Sequence, residues 1–193
     1  MPGYLRTTRP GTVNTVLEID PQLLDIGREQ LGLSAHVDVR VADARISIRQ
    51  VEDRSIDVVI GDAYSGMSVP WHLTTREFNE EISRVMRPDG IYTMNVIDWS
   101  DLLFVRAEAR TLLEVFEHVV LLAPDTYLAG EAGGNFVFVA SSSPIDLKSL
   151  QMAVEARGGS ERGVTRDELG LFIGDGILLT DDYAPVDQIL GRP

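Results

Sequence analysis

Acidic residues close three consecutive predicted strands of this chain. Glu18 and Asp20 stand at the end of the run "NTVLEI", Asp43 ends "VDVRVAD", and Asp62 ends "SIDVVIGD". In an open α/β sheet, ligands bind beyond the carboxyl ends of the strands. Carboxylates in that place accept hydrogen bonds from ribose hydroxyls or an adenine amino group, or they face a reacting centre. The repeated pattern therefore predicts a nucleoside-sized site that these side chains share.

Helix capping is the alternative interpretation of each acid alone. Asp43 precedes a predicted helix, and an acid at a helix N-terminus stabilises the fold by about 1 kcal/mol without any ligand. A single acid of this kind indicates a cap more often than a ligand. Three in register favour the binding site.

Strands and helices alternate along the first two thirds of the chain. Continuous or alternating apolar runs predict strands at 14–19, 37–43, 55–62 and 91–98. The run "SIDVVIGD" is typical of a buried parallel strand. Helices are predicted after Pro21 and over 44–51, 74–86 and 100–116.

Capping signals mark two of these helices. Thr74 or Thr75, followed by Glu77, predicts the start of the helix at 74–86, and Ser100 or Asp101 is the expected cap of the helix at 100–116. The alternation of strands and helices predicts a parallel, doubly wound sheet.

The last third of the chain has a different pattern. The segments 118–124 and 135–142 predict an antiparallel strand pair, "RPDG" at 87–90 predicts a turn, and a helix is expected over 146–157. The segment 158–179 is ambiguous, and "LLTDDYAPVDQIL" is rich in turn residues. Because no repeat, linker or break in composition is present, we expect a single domain over 1–193.

Composition excludes several classes of protein. The net charge of −13 argues against a nucleic-acid binder, since phosphate contacts need clustered Lys and Arg. Without cysteine there is no disulfide, thiolate nucleophile or Cys-type zinc site. His36, His72 and His118 lack ligand spacing, so no metal is expected. No apolar run is long enough for a signal peptide or a membrane span, which predicts a cytoplasmic protein.

Seven segments carry a family resemblance. They are "VLEIDP" (16–21), "VADAR" (41–45), "DVVIGDAYSG" (57–66), "VPWHLTTREF" (69–78), "MRPDGIYTMNVID" (86–98), "GGNFVFVAS" (133–141) and "LTDDYAPVD" (179–187). In this order and spacing the chain resembles spermidine synthases and their bacterial spermidine synthase-like relatives. These proteins have the Rossmann-like class I S-adenosylmethionine-dependent methyltransferase fold, an α/β fold with a doubly wound, mostly parallel sheet and an antiparallel C-terminal strand pair.

The resemblance implies a role for five residues. Glu18 matches the acid that holds the ribose of the nucleoside, and Asp43 with Ala44 matches the pair that reads the adenine. Pro70 matches a loop proline near the adenine, although it could equally only shape its loop. Asp62 matches the catalytic aspartate, which removes a proton from a diamine.

The family reaction transfers an aminopropyl group from decarboxylated S-adenosylmethionine to the amine. An aliphatic amine with a pKa near 10 arrives protonated, so a fixed carboxylate must both attract it and take its proton. A methyltransferase of the same fold, using intact S-adenosylmethionine, is the alternative enzyme. A nucleoside-binding remnant without catalysis is the alternative of another class. The resemblance also implies a possible homodimer.

The chain departs from the family pattern in two places. Where true spermidine synthases have a second amine-binding aspartate, three residues after the catalytic one, this chain has Ser65. A hydroxyl cannot balance an ammonium, so classical putrescine specificity is in doubt, while Tyr64 could contribute a cation–π contact. The first strand and the glycine-rich loop that precede "PGYLRTTRPG" in relatives are also missing. We expect this truncation to leave the strands at 14–19 and 55–61 unpaired on one side. The explanations are a misplaced start, which we prefer, completion by a partner, or a remnant.

Overall fold

The structure is a computed structural model that describes residues 2–34 and 37–191, with the backbone alone at position 6. The backbone divides into two compact units, Met1–Val51 and Glu52–Pro193. Each unit is described by itself. The expectation of a single domain stays a prediction.

The first unit contains short helices and a two-stranded sheet. Its elements are α1 (Pro2–Thr8), β1 (Thr15–Glu18), α2 (Pro21–Glu29), β2 (Asp38–Val41), α3 (Ala44–Ser47) and a 3₁₀ turn (Ile48–Gln50). The strands β1 and β2 are parallel, as predicted, with Thr15 opposite Asp38 and Glu18 opposite Val41.

Local signals start both of the later helices in this unit. Asp20 caps α2 by accepting a hydrogen bond from the N–H of Gln22, and Pro21 occupies the first helical position. Asp43 caps α3 in the same way. Packing contributes much less here, because Leu24 and Ile48 are the only described hydrophobic side chains of the unit that are buried.

The second unit contains most of the secondary structure. Its elements are β3 (Ile56–Gly61), a 3₁₀ turn (Trp71–Leu73), α4 (Arg76–Val85), β4 (Met86–Asp98), α5 (Leu103–Val115), β5 (His118–Ala123), α6 (Asp125–Leu128), β6 (Gly134–Ser141), α7 (Leu147–Glu155), β7 (Arg162–Val164), α8 (Arg166–Ile173) and α9 (Val186–Ile189).

These strands form one mixed sheet in the order β3-β4-β6-β5-β7. The pair β3–β4 is parallel, whereas β6 is antiparallel to both β4 and β5, and β7 is antiparallel to β5. The predicted α/β class and the late antiparallel pair are therefore confirmed. The strand β7 comes from the segment whose sequence was ambiguous.

The predicted turn at 87–90 is a bulge inside β4. Ile56 pairs with Met86 and Val58 pairs with Ile91, so β4 advances five residues while β3 advances two. At Gly90 an added Cβ would lie 2.9 Å from the carbonyl oxygen of Arg87, which is why the residue at this position is small. The bulge sets the register of everything that follows along β4.

The strand β3 is parallel to β4, as predicted, and among the described strands it pairs with β4 alone. This agrees with the expectation that the strand at 55–61 is unpaired on one side. The burial that its apolar run predicts is not observed, because Val58 and Ile60 are 53% and 41% exposed.

The core of the second unit covers both faces of its sheet. On one face, Val120, Leu122 and Val139 form a cluster against Leu147, Leu150 and Val154, which lie on α7. On the other, α5 packs on the sheet with Phe104, Val105 and Leu112 fully buried. The doubly wound arrangement follows from these two layers.

The start of α5 differs from the prediction. Neither Ser100 nor Asp101 caps it. Instead Asp98, fully buried at the end of β4, accepts hydrogen bonds from the backbone N–H groups of Phe104 and Val105 at 3.1 and 3.0 Å. It also accepts from the N–H groups of Trp99 and Gly191. By contrast, the predicted cap Thr75 is confirmed at α4.

Candidate functional site

Two predicted site residues lie at the same end of the small sheet in the first unit. Glu18 is the last residue of β1, and Asp43 stands two residues after the end of β2. Because the two strands are parallel and Glu18 lies opposite Val41, both acids follow the carboxyl ends of neighbouring strands. Glu18 uses Oε1 to accept a hydrogen bond from the N–H of Asp20 at 2.9 Å. This leaves Oε2 without a hydrogen-bond partner among the described residues.

The capping interpretation of Asp43 is confirmed for its Oδ1 atom. Asp43 Oδ1 accepts a hydrogen bond from the N–H of Arg45 at 2.7 Å, and Ala44 is the first residue of α3. A cap of this kind holds the carboxylate at a fixed place at the strand end. That rigidity is compatible with a ligand-binding role and does not require one.

Asp62 follows β3 in the second unit, where Asn95 holds its side chain. The amide Nδ2 of Asn95 donates a hydrogen bond to Asp62 Oδ1 at 3.2 Å. The Tyr64 hydroxyl donates to the backbone carbonyl of Asn95 at 2.9 Å. Burial, and next the negative charge of Asp62, raise the pKa of the Tyr64 phenol. Tyr64 therefore keeps its proton and remains a donor near neutral pH.

Asn95 is a site residue that the sequence interpretation missed. Its Oδ1 is buried and has no hydrogen-bond partner among the described residues. A buried acceptor left in this state costs about 1–3 kcal/mol, and an N–H donor from a ligand would remove that cost. The only sequence signal is one amide inside "IYTMNVID". Its position beside Asp62 depends on the register, in which Gly61 lies opposite Met94.

A tight turn follows Asp62 and Tyr64. The N–H of Ser65 donates to the carbonyl of Ser68 at 2.8 Å, so these two residues close the turn. The Ser68 hydroxyl then donates to Asp187 Oδ1 at 2.9 Å. This contact joins the turn to a carboxylate from the end of the chain. Asp187 is the second residue at this site that the sequence interpretation did not assign.

Pro70 closes the same loop. It directly precedes the 3₁₀ turn Trp71–Leu73, and its carbonyl accepts the N–H of Leu73 at 2.8 Å. The loop-shaping role that we considered for Pro70 is therefore observed. Its role near an adenine stays a prediction.

The side chains that could bind a metal ion are scattered over the described part of the chain. Within residues 2–34 and 37–191, no group of three or more His, Cys, Asp or Glu side chains is arranged to hold a metal ion. His36 lies outside the described residues. None of the described helices is long and apolar enough to cross a membrane.

A separate cleft opens in the second unit at the start of α5. It has a volume of about 490 Å³ and is lined by residues that include Asp101, Arg106 and Asp175. None of the site residues predicted from the sequence lines this cleft. The candidate site is therefore the surface around Asp62 and not this hollow.

Comparisons with known proteins bear on the family and the fold of the chain. Residues 4–94, just under half of the chain, match a family model described as a methyltransferase domain. A polyamine aminopropyltransferase of Vibrio vulnificus (strain CMCP6) is 26% identical over 160 residues, which cover 81% of this chain and 52% of that protein. The chain thus spans about half the length of this curated relative.

Solved structures extend the likeness to the fold. A probable spermidine synthase from Corynebacterium glutamicum ATCC 13032 is 28% identical and superposes with a TM-score of 0.83, over 98% of this chain and 70% of the other. Human methyltransferase-like protein 13 in complex with SAH is 20% identical and has a TM-score of 0.62, over 97% of this chain and 82% of the other. The second likeness concerns the fold alone. The predicted resemblance is confirmed by these matches.

Proposed function

We propose that this chain, a spermidine synthase-like protein with the class I methyltransferase fold, transfers an aminopropyl group to a polyamine-type amine. The donor would be decarboxylated S-adenosylmethionine. The proposal extends to this chain what the names of its relatives state, and it adds a role for each residue of the candidate site.

Asp62 is the proposed base and anchor. Its carboxylate attracts the protonated amine, holds the nitrogen in line with the donor and accepts the proton that the nitrogen must lose. The nitrogen then bonds to the propyl carbon next to the sulfonium. The carbon–sulfur bond breaks with its electron pair on sulfur, and methylthioadenosine leaves. Since the sulfonium is a good leaving group, positioning and proton removal are the main tasks of the protein.

One observation carries this proposal: the paired side chains of Asp62 and Asn95. The Asn95 amide orients one carboxylate oxygen and leaves Asp62 Oδ2 without a partner among the described residues. Asn95 Oδ1 is a second acceptor that lacks a donor. An ammonium has several N–H donors, so it is suited to Asp62 Oδ2, the oxygen that the Asn95 amide leaves open.

The nucleoside half of the donor is assigned to the first unit. Glu18 would accept hydrogen bonds from the ribose hydroxyls through its unpartnered Oε2. Asp43 and Ala44, held at the start of α3, would read the adenine. Acceptor carboxylates fit the donor groups of a ribose and an adenine amine.

The second cationic end of the amine needs another partner, because Ser65 and Tyr64 are neutral. Asp187 meets this need, since Ser68 holds it on the turn that begins at Ser65. We therefore favour a substrate with two or more ammonium groups. The Tyr64 ring would add a cation–π contact to the amine.

Product analysis tests the proposal. The purified chain is incubated with a panel of diamines and either decarboxylated or intact S-adenosylmethionine, and the adducts are weighed by mass spectrometry. We expect an aminopropyl adduct that Asp62→Asn reduces by at least about 100-fold. Asp57→Asn is the matched control, because Asp57 lies on the same strand and forms a surface ion pair with Arg87, away from the candidate site. A control that loses as much activity as Asp62→Asn contradicts the role of Asp62.

Methyl transfer is the second candidate, and the matched methyltransferase domain over residues 4–94 favours it. The donor would then be intact S-adenosylmethionine, and the adducts would carry the mass of a methyl group. If neither donor is consumed while methylthioadenosine still protects the amides of β1 and β2 from exchange, the chain is a nucleoside-binding remnant. A cytoplasmic location and a homodimer stay predictions.

A further inference from the structure

An aromatic ring from the neighbouring strand occupies the side-chain space at Gly61, the residue immediately before Asp62. A Cβ placed on Gly61 would lie 2.8 Å from the Tyr92 hydroxyl oxygen, 3.1 Å from Cε2 and 3.3 Å from Cζ. Real Cβ contacts below 3.0 Å are almost never seen. The Tyr92 ring therefore occupies the space that a side chain at position 61 would need.

The register explains how the ring reaches that place. Tyr92 lies opposite Val59, two residues before Gly61, and side chains two apart point to the same face of a sheet. From there the ring extends along β3 toward its carboxyl end, where the strand gives way to Asp62. Tyr92 thus places a large side chain beneath the candidate site, where it is almost completely buried.

Tyr92 has little freedom to move. It is 2% exposed, and its ring centroid lies 6.0 Å from that of Phe116. Burial, and next the charge of Glu108, raise the pKa of the Tyr92 phenol, so the ring stays neutral in the core. A ring enclosed in this way resists displacement, because close-packed interiors leave no room for it to shift.

We infer that Tyr92 is a positioning residue for Asp62, acting through its contact with Gly61. The ring fixes the position of the backbone at the end of β3. Asn95, three residues further along β4, can then donate its hydrogen bond to the Asp62 carboxylate. This inference rests on the proposed function of Asp62. A reacting group displaced by about 1 Å loses about 100-fold in rate, so the effect of this support is measurable.

A double-substitution cycle tests the contact. Gly61→Ala adds a methyl group against the ring, and we expect kcat to fall by about 10–100-fold while KM for the amine changes by less than about 3-fold. Tyr92→Phe removes the nearest atom and alone causes a smaller loss. In the double variant we expect kcat to recover at least about 5-fold relative to Gly61→Ala.

Gly176→Ala is the matched control. It creates a contact of similar severity, 3.0 Å to the backbone carbonyl oxygens of Arg106 and Ile173, in a segment that contributes no residue to the candidate site. We expect it to lower thermal stability and to leave kcat within about 2-fold of the original chain. A loss of kcat that simply follows thermal stability across all variants overturns the inference.

A second measurement separates this inference from the proposed function. The side-chain amide N–H signals of Asn95, which report its hydrogen bond to Asp62, are followed by NMR in the original chain and in each variant. We expect Gly61→Ala to shift these signals and the double variant to restore them, whether or not the chain turns over substrate. An inactive original chain overturns the proposed function alone, whereas unshifted Asn95 signals overturn the role of Tyr92. If Gly61→Ala does not fold, Tyr92→Leu replaces it, because it withdraws the ring without adding an atom, and unchanged kcat and Asn95 signals then overturn the inference.

Discussion

The two units of this chain reach their structures by different routes. In Met1–Val51, helices begin at side-chain caps and a proline, but only Leu24 and Ile48 are buried among the described hydrophobic side chains. In Glu52–Pro193, layers of helices cover both faces of a five-stranded sheet, and large aromatic side chains such as Phe136 and Phe138 are fully buried. Local signals thus define the first unit, and packing defines the second.

This difference bears on the candidate site. The acids proposed to hold the nucleoside, Glu18 and Asp43, belong to the unit with little core, while the proposed base Asp62 belongs to the packed unit. Segments with few buried apolar contacts open at low free energy. We therefore expect the nucleoside-binding side chains to be ordered more strongly by a ligand than Asp62 is.

Removal of a core side chain should produce the largest difference in unfolding free energy between the two units. Phe138→Ala should cost about 3–5 kcal/mol of unfolding free energy, because Phe138 is fully buried in the sheet core. Leu24→Ala should cost about 2 kcal/mol or less, since it has fewer buried neighbours. Urea unfolding followed by amide exchange measures both. Equal losses would contradict the comparison.

A smaller loss is expected when the tertiary cap of α5 is removed. Asp98→Ala leaves four backbone N–H groups without their acceptor, and we expect a cost of about 2–4 kcal/mol. Asp98→Asn keeps one acceptor oxygen and should lose less. Thermal unfolding of the two variants checks this, and the explanation fails if they are equally unstable.

The third prediction concerns a buried carboxyl group without hydrogen-bond partners among the described residues of the second unit. Glu108 is fully buried on α5, and neither carboxyl oxygen has a partner among the described residues. Glu108→Leu removes two unsatisfied atoms, so we expect a gain of about 1–3 kcal/mol. Unfolding in urea at pH 7 measures the gain, and a loss of stability would show that Glu108 has a role that we have not identified.

The same residue predicts a pH dependence with a definite sign. Burial raises the pKa of the Glu108 carboxyl well above its usual range. The folded chain therefore keeps the proton at pH values where the unfolded chain has released it, so stability falls as the pH rises past the usual range of glutamate. Glu108→Gln should flatten this fall. It should not abolish it, because burial also raises the pKa of Asp98.

The smallest effect should come from a cap in the first unit. Asp20→Ala removes the acceptor for the N–H of Gln22 and should cost about 1 kcal/mol, visible as faster amide exchange in α2. Asp25→Ala is the control, because Asp25 is an exposed residue of the same helix with no part in the cap. If both substitutions speed exchange equally, the cap does not define this helix.

The start of a helix was predictable from the sequence where its capping residue lies close along the chain to the N–H group that it binds. Asp20, Asp43 and Thr75 act on N–H groups two or three residues away, and those helices begin where the pattern predicts. The cap of α5 was not predictable, since Asp98 reaches N–H groups six and seven residues on, through a loop in which Leu102 has a positive φ. Only the folded loop brings these groups together.

In the candidate site, too, only the residues whose positions have a local cause were predictable from the sequence. Asp62 follows a strand that its own sequence defines, whereas the partners of Asp62 and of the turn after it depend on distant pairings. Asn95 meets Asp62 because the bulge at 87–90 sets the register between β3 and β4. Asp187 reaches Ser68 across 119 residues of chain. The exposure of β3 likewise depends on its neighbours and not on its own residues.

That exposed strand has a consequence for the behaviour of the chain in solution. An apolar strand paired on one side is a template for strand addition by another molecule. The net charge of −13 opposes such encounters by mutual repulsion, and this repulsion reaches about 10 Å in 0.1 M salt but only about 3 Å in 1 M salt. Self-association should therefore increase with ionic strength, which light scattering would measure.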